Sequence, residues 1–507
     1  MTAAAAPARS PRAARAVPSA SGGLGGRRQL DLRRAAFLLL GAGLFAGIYL
    51  SPAWPAAIDP QGRAFALTHA GQAAIALFLF SVTWWASDVV PAGVTSIALA
   101  VIQVLFGIRA ARAAFADFMH PAIWFIFASL ALGLALTKTG LTRRLVYRTL
   151  MLVGERTDRV LLGCLLLTMG LTLVLAHTAV AATVYPVFLA VHALYAEEEK
   201  PTRFGKALFI GMAFVASAGS IITLLGSARA VVAIGFLQAF TGGTVGVFEL
   251  SYYLLPVGLA MTVLLWLLLL VTCRPEKRSI PGLGERARRL HASLGPISPR
   301  ELVTLAVVLA AVLLLALRAT LPALAGLDPS AVLLASAVLL FVFRILTVED
   351  LEGTSWNVVL LFGGAMSLGN CLWQTGAARW LGVELVAVFP SGSALLFVLA
   401  VGVAVMLATN VMTNIAVIAL VLPTTLVAAP YVGVTPEVVL FVCLAGTGMP
   451  FLLLFGAAPN AIAYASRQFT AREFFLAGLP ASVLLALVLA LFVWLVWPAM
   501  GMSVLSR

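Results

Sequence analysis

Four short stretches of this chain could do chemistry in surroundings that otherwise offer none. His177 and Thr178 lie in a run from Val160 to Ala196 that holds no Lys, Arg, Asp or Glu. Arg229 stands between two uncharged runs, Ala207–Ala228 and Ala230–Phe248. Thr413-Asn414-Ile415 and Gly456-Ala457-Ala458-Pro459-Asn460 interrupt two further apolar runs. A neutral imidazole donates one hydrogen bond, accepts another and titrates near physiological pH. A guanidinium presents a planar fork that matches carboxylates and oxyanions. This is binding chemistry. An embedded enzyme would need a nucleophile, base or metal cluster facing one cavity, and His177 has no carboxylate in its run and no second His nearer than His192, fifteen residues on. No phosphate-cradling glycine motif follows a strand, which argues against a nucleotide-driven motor.

The elements that must position these residues are membrane helices. The 507 residues are 62% hydrophobic and 10% charged, with a mean hydropathy of +1.05. Soluble globular chains carry about 25% charged residues, so a water-facing surface cannot be covered. Recurrent apolar segments of about 20 residues predict a polytopic all-α membrane protein of about 11 transmembrane helices. The four cysteines, Cys164, Cys273, Cys371 and Cys443, are scattered without a CxxC pair and read as packed thiols. The net charge of +13 is concentrated. Seven arginines precede the first apolar segment and seven Lys or Arg fall between Arg274 and Arg300. That is the positive-inside pattern rather than a nucleic-acid footprint. It places both segments on the cytoplasmic side of the cell (inner) membrane, N-terminus included. The organisation expected is a disordered basic tail over 1–34, scaffold spans over 35–113, a first transporter repeat over 114–273, a basic loop over 274–300 and a second repeat over 301–507.

The repeats are visible in the letters. TAVAATVYP (178–186) matches IAVIALVLP (415–423) at Ala179-Val180, Ala182, Val184 and Pro186. LTKTG (136–140) echoes LWQTG (372–376), and GSARAVVA (226–233) echoes GAAPNAIA (456–463), in the same order. Each half breaks its apolar runs twice, at Ala176-His177-Thr178 and Gly226-Ser227-Ala228-Arg229, then at Thr413-Asn414-Ile415 and Gly456–Asn460. Backbone groups freed inside a bilayer must find a partner. Helix starts suit an anion, and loose carbonyls suit a cation. Paired hydrophobic repeats with such breaks predict a secondary transporter with one central anion site and room for small cations.

At these residues the chain resembles the divalent anion:sodium symporters (DASS permeases). The likeness covers most of the chain from about Trp84. TWWASDVVPAGVTS (83–96), KTGLTRRL (138–145), SWNVVLLFGGAMSLG (355–369) and APNAIAYAS (458–466) are similar to that family's characteristic stretches. The resemblance implies an inverted structural repeat, each half with a re-entrant helical hairpin and an unwound helix, in a homodimer that moves its substrate by an elevator-like displacement. It implies substrate contacts from His177, Thr178, Ser227, Arg229, Thr413, Asn414, Pro459 and Asn460. For the second sodium site it implies Thr409, Asn414 and the carbonyls of Met412 and Gly456. The first site departs from the family's Ser-Asn-Thr triplet and Pro-Pro-Asn loop. Ala176 and His177 replace Ser and Asn, Ala228-Arg229-Ala230 replace the loop, and only Thr172 beside Gly226 keeps a hydroxyl. Ile415 removes the second triplet's hydroxyl. The expected substrate is a dicarboxylate-like anion, sulfate or a sulfonate, with Na⁺ as coupling ion at reduced or altered stoichiometry. A proton-coupled or cation-independent exchanger, and more distantly an anion channel, are the alternatives. For His177 three readings stay open: substrate contact, proton coupling and a structural hydrogen bond. Arg229 reads as a solvated loop residue or as a tethered cation at the first hairpin tip.

Overall fold

The computed structural model describes residues 32–196, 200–318, 321–324, 326–387, 389 and 394–505. The acidic turn Glu197–Glu199 and nearly all of the expected tail lie outside them. The described residues open with α1 (Leu32–Tyr49), which includes Arg33 and Arg34. A two-residue hairpin, β1 (Ala57–Ile58) against β2 (Ala64–Phe65), leads to α2 (His69–Ser87), α3 (Ala92–Leu105), α4 (Ala111–Ala116), α5 (Pro121–Thr139) and α6 (Leu141–Val153). Next come α7 (Thr157–Thr172), α8 (His177–Tyr195), α9 (Arg203–Gly219), α10 (Ala228–Thr241) and α11 (Val247–Thr272). The basic segment carries α12 (Leu283–Ser293) and is followed by α13 (Pro299–Leu317), α14 (Pro329–Val342), α15 (Val348–Glu352), α16 (Trp356–Gln374) and α17 (Ala377–Ala387). The chain ends with α18 (Ala394–Ala408), α19 (Asn414–Ala428), α20 (Pro436–Gly448), α21 (Ala458–Tyr464), α22 (Ala471–Leu491) and α23 (Trp497–Ala499). Among the described residues, nine helical segments are long and apolar enough to cross a membrane. The protein is a multi-pass helical membrane protein.

The series α7–α11 recurs as α18–α22, and local sequence explains why. Proline is the tenth residue of α8 and of α19, as Pro186 and Pro423, and again of α11 and of α22, as Pro256 and Pro480. Both of the last two begin with an acid at their third residue that reaches back to the chain before the helix. Glu249 Oε2 accepts from Gly246 N at 3.2 Å and Glu473 Oε2 from Thr470 N at 2.8 Å. Such an acid also complements the helix dipole. From Ala207 to Gly219 every residue of α9 is buried, as is every residue of α20 from Val438 to Gly448. A helix apolar all round must sit in the middle of a bundle. α9 packs on α7, α8 and α11, and α20 packs on α18 and α19. The halves interlock: α21 lies against α8 and α9, α10 lies against α19 and α20, and α11 meets α22.

Among the remaining helices α3 pairs with α16 and α5 with α14, and α16 and α5 also pack on α10. A buried polar clamp fixes the first pair. Arg109 Nη1 donates to Asp117 Oδ2 at 2.7 Å and to Gln103 Oε1 at 3.1 Å, and Asn370 Nδ2 donates to Asp117 Oδ1 at 2.7 Å. The stretch 274–300 is not wholly loop. Leu283, Ala287 and Leu290 recur at helical spacing, Leu283 and Ala287 are buried, and α12 packs on α6.

Candidate functional site

Each hairpin tip is stitched to the helix break of its own half. In the first half, α7 and α8 turn at 173–176, and the break 220–227 separates α9 from α10. Thr223 Oγ1, in the break, donates to the Leu173 carbonyl at 2.7 Å and accepts from Gly226 N at 3.1 Å. Gly226 lies so close to the Thr172 carbonyl that a Cβ there would collide with it. In the second half, α18 and α19 turn at 409–413, and the break 449–457 separates α20 from α21. Asn410 Oδ1, in the tip, accepts from Leu452 N at 2.8 Å and Leu453 N at 3.2 Å. A Cβ on Gly456 would sit 3.3 Å from the Asn410 Cα. The irregular backbone thus satisfies itself across the seam, which is the condition for unwinding inside a bilayer.

Helix starts converge on these seams. The structure places His177 and Thr178 in the first turn of α8, Asn414 and Ile415 in the first turn of α19, and Arg229 in the first turn of α10. They are therefore the first or second residues of their helices, which begin about two residues earlier than the letters suggested. Ala176 and Ser227 precede α8 and α10 without a side-chain cap; Ala230 N of α10 donates to the Ser227 carbonyl at 2.9 Å, while the N–H groups of His177 and Thr178 and of Ala228 and Arg229 have no partner among the described residues. Thr413 does cap α19, its hydroxyl accepting from Ala416 N at 3.4 Å. Thr178 is exposed, and His177 is half-buried with no hydrogen bond to its ring among the described residues.

Arg229 is the centre of the first seam. It is 3% exposed. Its Nη2 donates to Ser220 Oγ at 3.1 Å, while its buried Nε has no partner. Among the described residues no carboxylate pairs with it. A Cβ on Gly448 would lie 2.6 Å from that Nη2, so the guanidinium rests at the carbonyl end of α20, where the helix dipole favours a cation. One residue away, the Thr447 carbonyl accepts from Thr409 Oγ1 at 3.0 Å, and the same hydroxyl lies 2.7 Å from Asn414 Oδ1. The first break therefore touches the second hairpin through two residues of α20.

Of the oxygens expected around a cation, Thr409 and Asn414 meet directly, Gly456 packs on the same turn, and Met412 belongs to that turn. At the first seam Thr172 and Gly226 meet, but Thr172 Oγ1 already donates to the Met169 carbonyl at 2.6 Å. Asn460 is fully buried: Nδ2 donates to the Pro450 carbonyl at 2.9 Å and the Leu453 carbonyl at 3.0 Å, and Oδ1 has no partner. Buried Pro459 precedes it, and Ser227 Oγ is likewise buried and unpartnered. Buried polar atoms left unpaired cost about 1–3 kcal/mol each, so a bonding partner at these atoms would be stabilising. Thr223, Asn410, Thr447 and Ser220 were missed in the letters. Their only signal was a polar residue inside or beside an apolar run, next to a break.

Comparison with known proteins extends this picture. Residues 58–503 match the family model described as the sodium:sulfate symporter transmembrane region. The chain is 24% identical over 460 residues to the sodium-dependent dicarboxylate transporter SdcS of Staphylococcus saprophyticus, covering 86% of this chain and 88% of that protein. It is 27% identical over 488 residues to a membrane protein of Cupriavidus necator, covering 92% and 94%. Among solved structures, MtrF of Neisseria gonorrhoeae, presented as one of a class of antimetabolite efflux pumps, aligns with a TM-score of 0.55 at 14% identity over 92% of this chain and 96% of that one. The YdaH transporter of Alcanivorax borkumensis aligns with a TM-score of 0.53 at 16% identity over 93% and 98%. At these identities the structural likeness concerns the fold.

Proposed function

Because the chain belongs to the sodium:sulfate symporter family, we propose that it is a secondary carrier of small anions, dicarboxylate-like or oxyanionic, in which one tethered charge replaces one coupling cation. The observation that carries this reading is Arg229: a buried guanidinium with an unpartnered Nε and no carboxylate. A cation held at membrane depth asks for a counter-ion, and a transported anion supplies one. The anion's oxygens would face Arg229, Ser227 and the open N–H groups of α8 and α10, with His177, Thr178, Thr413, Asn414 and the Pro459-Asn460 turn around it. The Thr409–Asn414 contact supports sodium at the second seam, completed by the Met412 and Gly456 carbonyls. The names of the SdcS relatives support a dicarboxylate and sodium dependence.

A tethered charge cannot leave with the substrate. It lowers the energy of the loaded site but carries no coupling energy from a gradient. This favours one-cation coupling, and it also supports a second reading, cation-independent exchange. The two hairpins with α9–α11 and α20–α22 would be the moving unit, and the helices of 35–153 and 299–387 the fixed one. We further read the basic segments as cytoplasmic, the repeats as inverted and the assembly as a homodimer. The deciding experiment is uptake of a labelled anion panel into proteoliposomes, with and without a sodium gradient, and with and without anion inside. Sodium-stimulated uptake supports symport. Indifference to sodium with acceleration by internal anion supports exchange. Flux that is indifferent to sodium and is not accelerated by internal anion refutes a carrier in favour of a channel.

A further inference from the structure

A groove of about 430 Å³ lies between α8 and α5, and none of the residues read above as holding the anion or sodium lines it. Ala179, Ala182 and Pro186 of α8, with Ala176 just before that helix, form its floor, and Leu130 and Gly133 of α5 its far wall. At one end stand Arg143 and Tyr147 of α6. Arg143 is exposed and Tyr147 half-buried, and neither side chain makes a hydrogen bond or ion pair among the described residues. The hydroxyls along the groove are already used. Ser129, Thr137 and Thr183 each donate to a carbonyl of their own helix, at 2.8, 3.0 and 2.8 Å. The groove therefore offers an apolar trough with a cation and a phenol at one mouth.

We propose that this groove holds one acyl chain of an anionic membrane phospholipid, with its phosphate on Arg143 and Tyr147. Three observations select that occupant. The ten steps from Ala176 to Pro186 rise about 15 Å, half of a hydrocarbon core about 30 Å thick, so one chain of one leaflet fills the trough. The two lining side chains with unbonded polar groups, Arg143 and Tyr147, stand together on one helix, α6, as a lipid's polar groups stand together at its head. The unpaired guanidinium complements a phosphodiester, which it binds through its fork. The chain would pack between α5–α6 and the helix that carries His177 at its tip. Its functional consequence rests on the transport reading: anionic lipid would support α8 and raise the transport rate. The binding claim does not rest on it.

The test uses the full-length protein in liposomes containing a phosphatidylglycerol with a photoreactive acyl chain, with crosslinks mapped by mass spectrometry. Labelling is expected on peptides spanning 129–147 and 176–187. One Arg near a lipid surface is worth about 1 kcal/mol, so Arg143→Gln should lower labelling about fivefold, and a phosphatidylcholine probe should label less by a similar factor. Ala182→Trp, which fills the trough, should abolish labelling at unchanged melting temperature. If that variant does not fold, the Arg143→Gln comparison decides alone. Labelling spread evenly over the lipid-facing helices, or unchanged by Arg143→Gln, overturns the proposal. Site-specific labelling in a protein that moves no tested anion keeps the lipid site and refutes the transport reading instead.

Discussion

Replacing Arg229 by Gln removes the one buried charge of the first seam while keeping a polar group of related shape. The guanidinium has five N–H donors. One goes to Ser220 Oγ, and Nε–H has no partner. An anion at the open starts of α8 and α10 can therefore be held through a charged fork. Truncating one partner of a buried, hydrogen-bonded charge pair costs roughly 2–5 kcal/mol. The lower part of that range applies, because Gln keeps one bond and the helix starts keep their N–H groups. A loss of about 2–4 kcal/mol is a 30- to 1,000-fold weaker anion. The assay is anion-dependent thermal stabilisation of the purified protein beside initial uptake rates in proteoliposomes. Arg229→Lys separates charge from geometry: it keeps the charge without the fork and should fall between wild type and Arg229→Gln. Raising sodium should not rescue Arg229→Gln, since Ala176 and His177 offer the first seam neither a hydroxyl nor an amide oxygen. Wild-type affinity in a folded Arg229→Gln protein refutes the reasoning, and Arg229 would then be a cap on the end of α20.

Thr409→Val keeps the shape of the second seam and removes the hydroxyl that meets Asn414 Oδ1. It is expected to raise the half-saturating sodium concentration at least about tenfold, one charge-assisted contact, with Thr409→Ser near wild type in sodium-titrated uptake. Asn410→Ala leaves the N–H groups of Leu452 and Leu453 unpaired, a cost of about 2–5 kcal/mol for the two. It should lower the melting temperature and speed amide exchange across 449–457. Outside the bilayer, Glu276 gives a pH signature. Burial alone would raise its carboxyl, but the N–H groups of Arg203 and Phe204 and the Tyr195 hydroxyl outweigh burial and hold it below its ordinary 4.5. A depressed carboxyl stabilises fully above the unfolded value, and the contribution is lost as pH falls through the folded one. Amide protection of 203–206 and 274–280 should therefore weaken as pH drops below about 4.5, and Glu276→Gln should show little of that pH dependence.

The two seams differ in a way that bears on coupling. The second is tied together by amides and hydroxyls that leave oxygen ligands facing one another. The first is tied by Thr223 and filled by a guanidinium. An oxygen cage can load and release an ion, whereas a side-chain cation stays. The asymmetry is therefore between a reversible and a fixed charge at equivalent positions of two repeats.

The sequence by itself determined the membrane class, the repeated halves and the places where helices stop. Each is a local matter. Twenty apolar residues must span, a proline at a fixed position must bend, and a polar residue in an apolar run must be accounted for. It also singled out His177, Arg229, Asn414 and Asn460, because charge and amides at membrane depth are visible as interruptions. What the letters do not hold is which break meets which helix. That Arg229 lies on Gly448 of the other half, that Asn410 and Thr223 lock the tips, and that Thr409 answers both Asn414 and Thr447 follow from packing of α9 and α20 in the centre of the bundle. Those contacts join residues distant in sequence, and their partners are fixed by close packing and by the need to satisfy every freed backbone group where no water can reach.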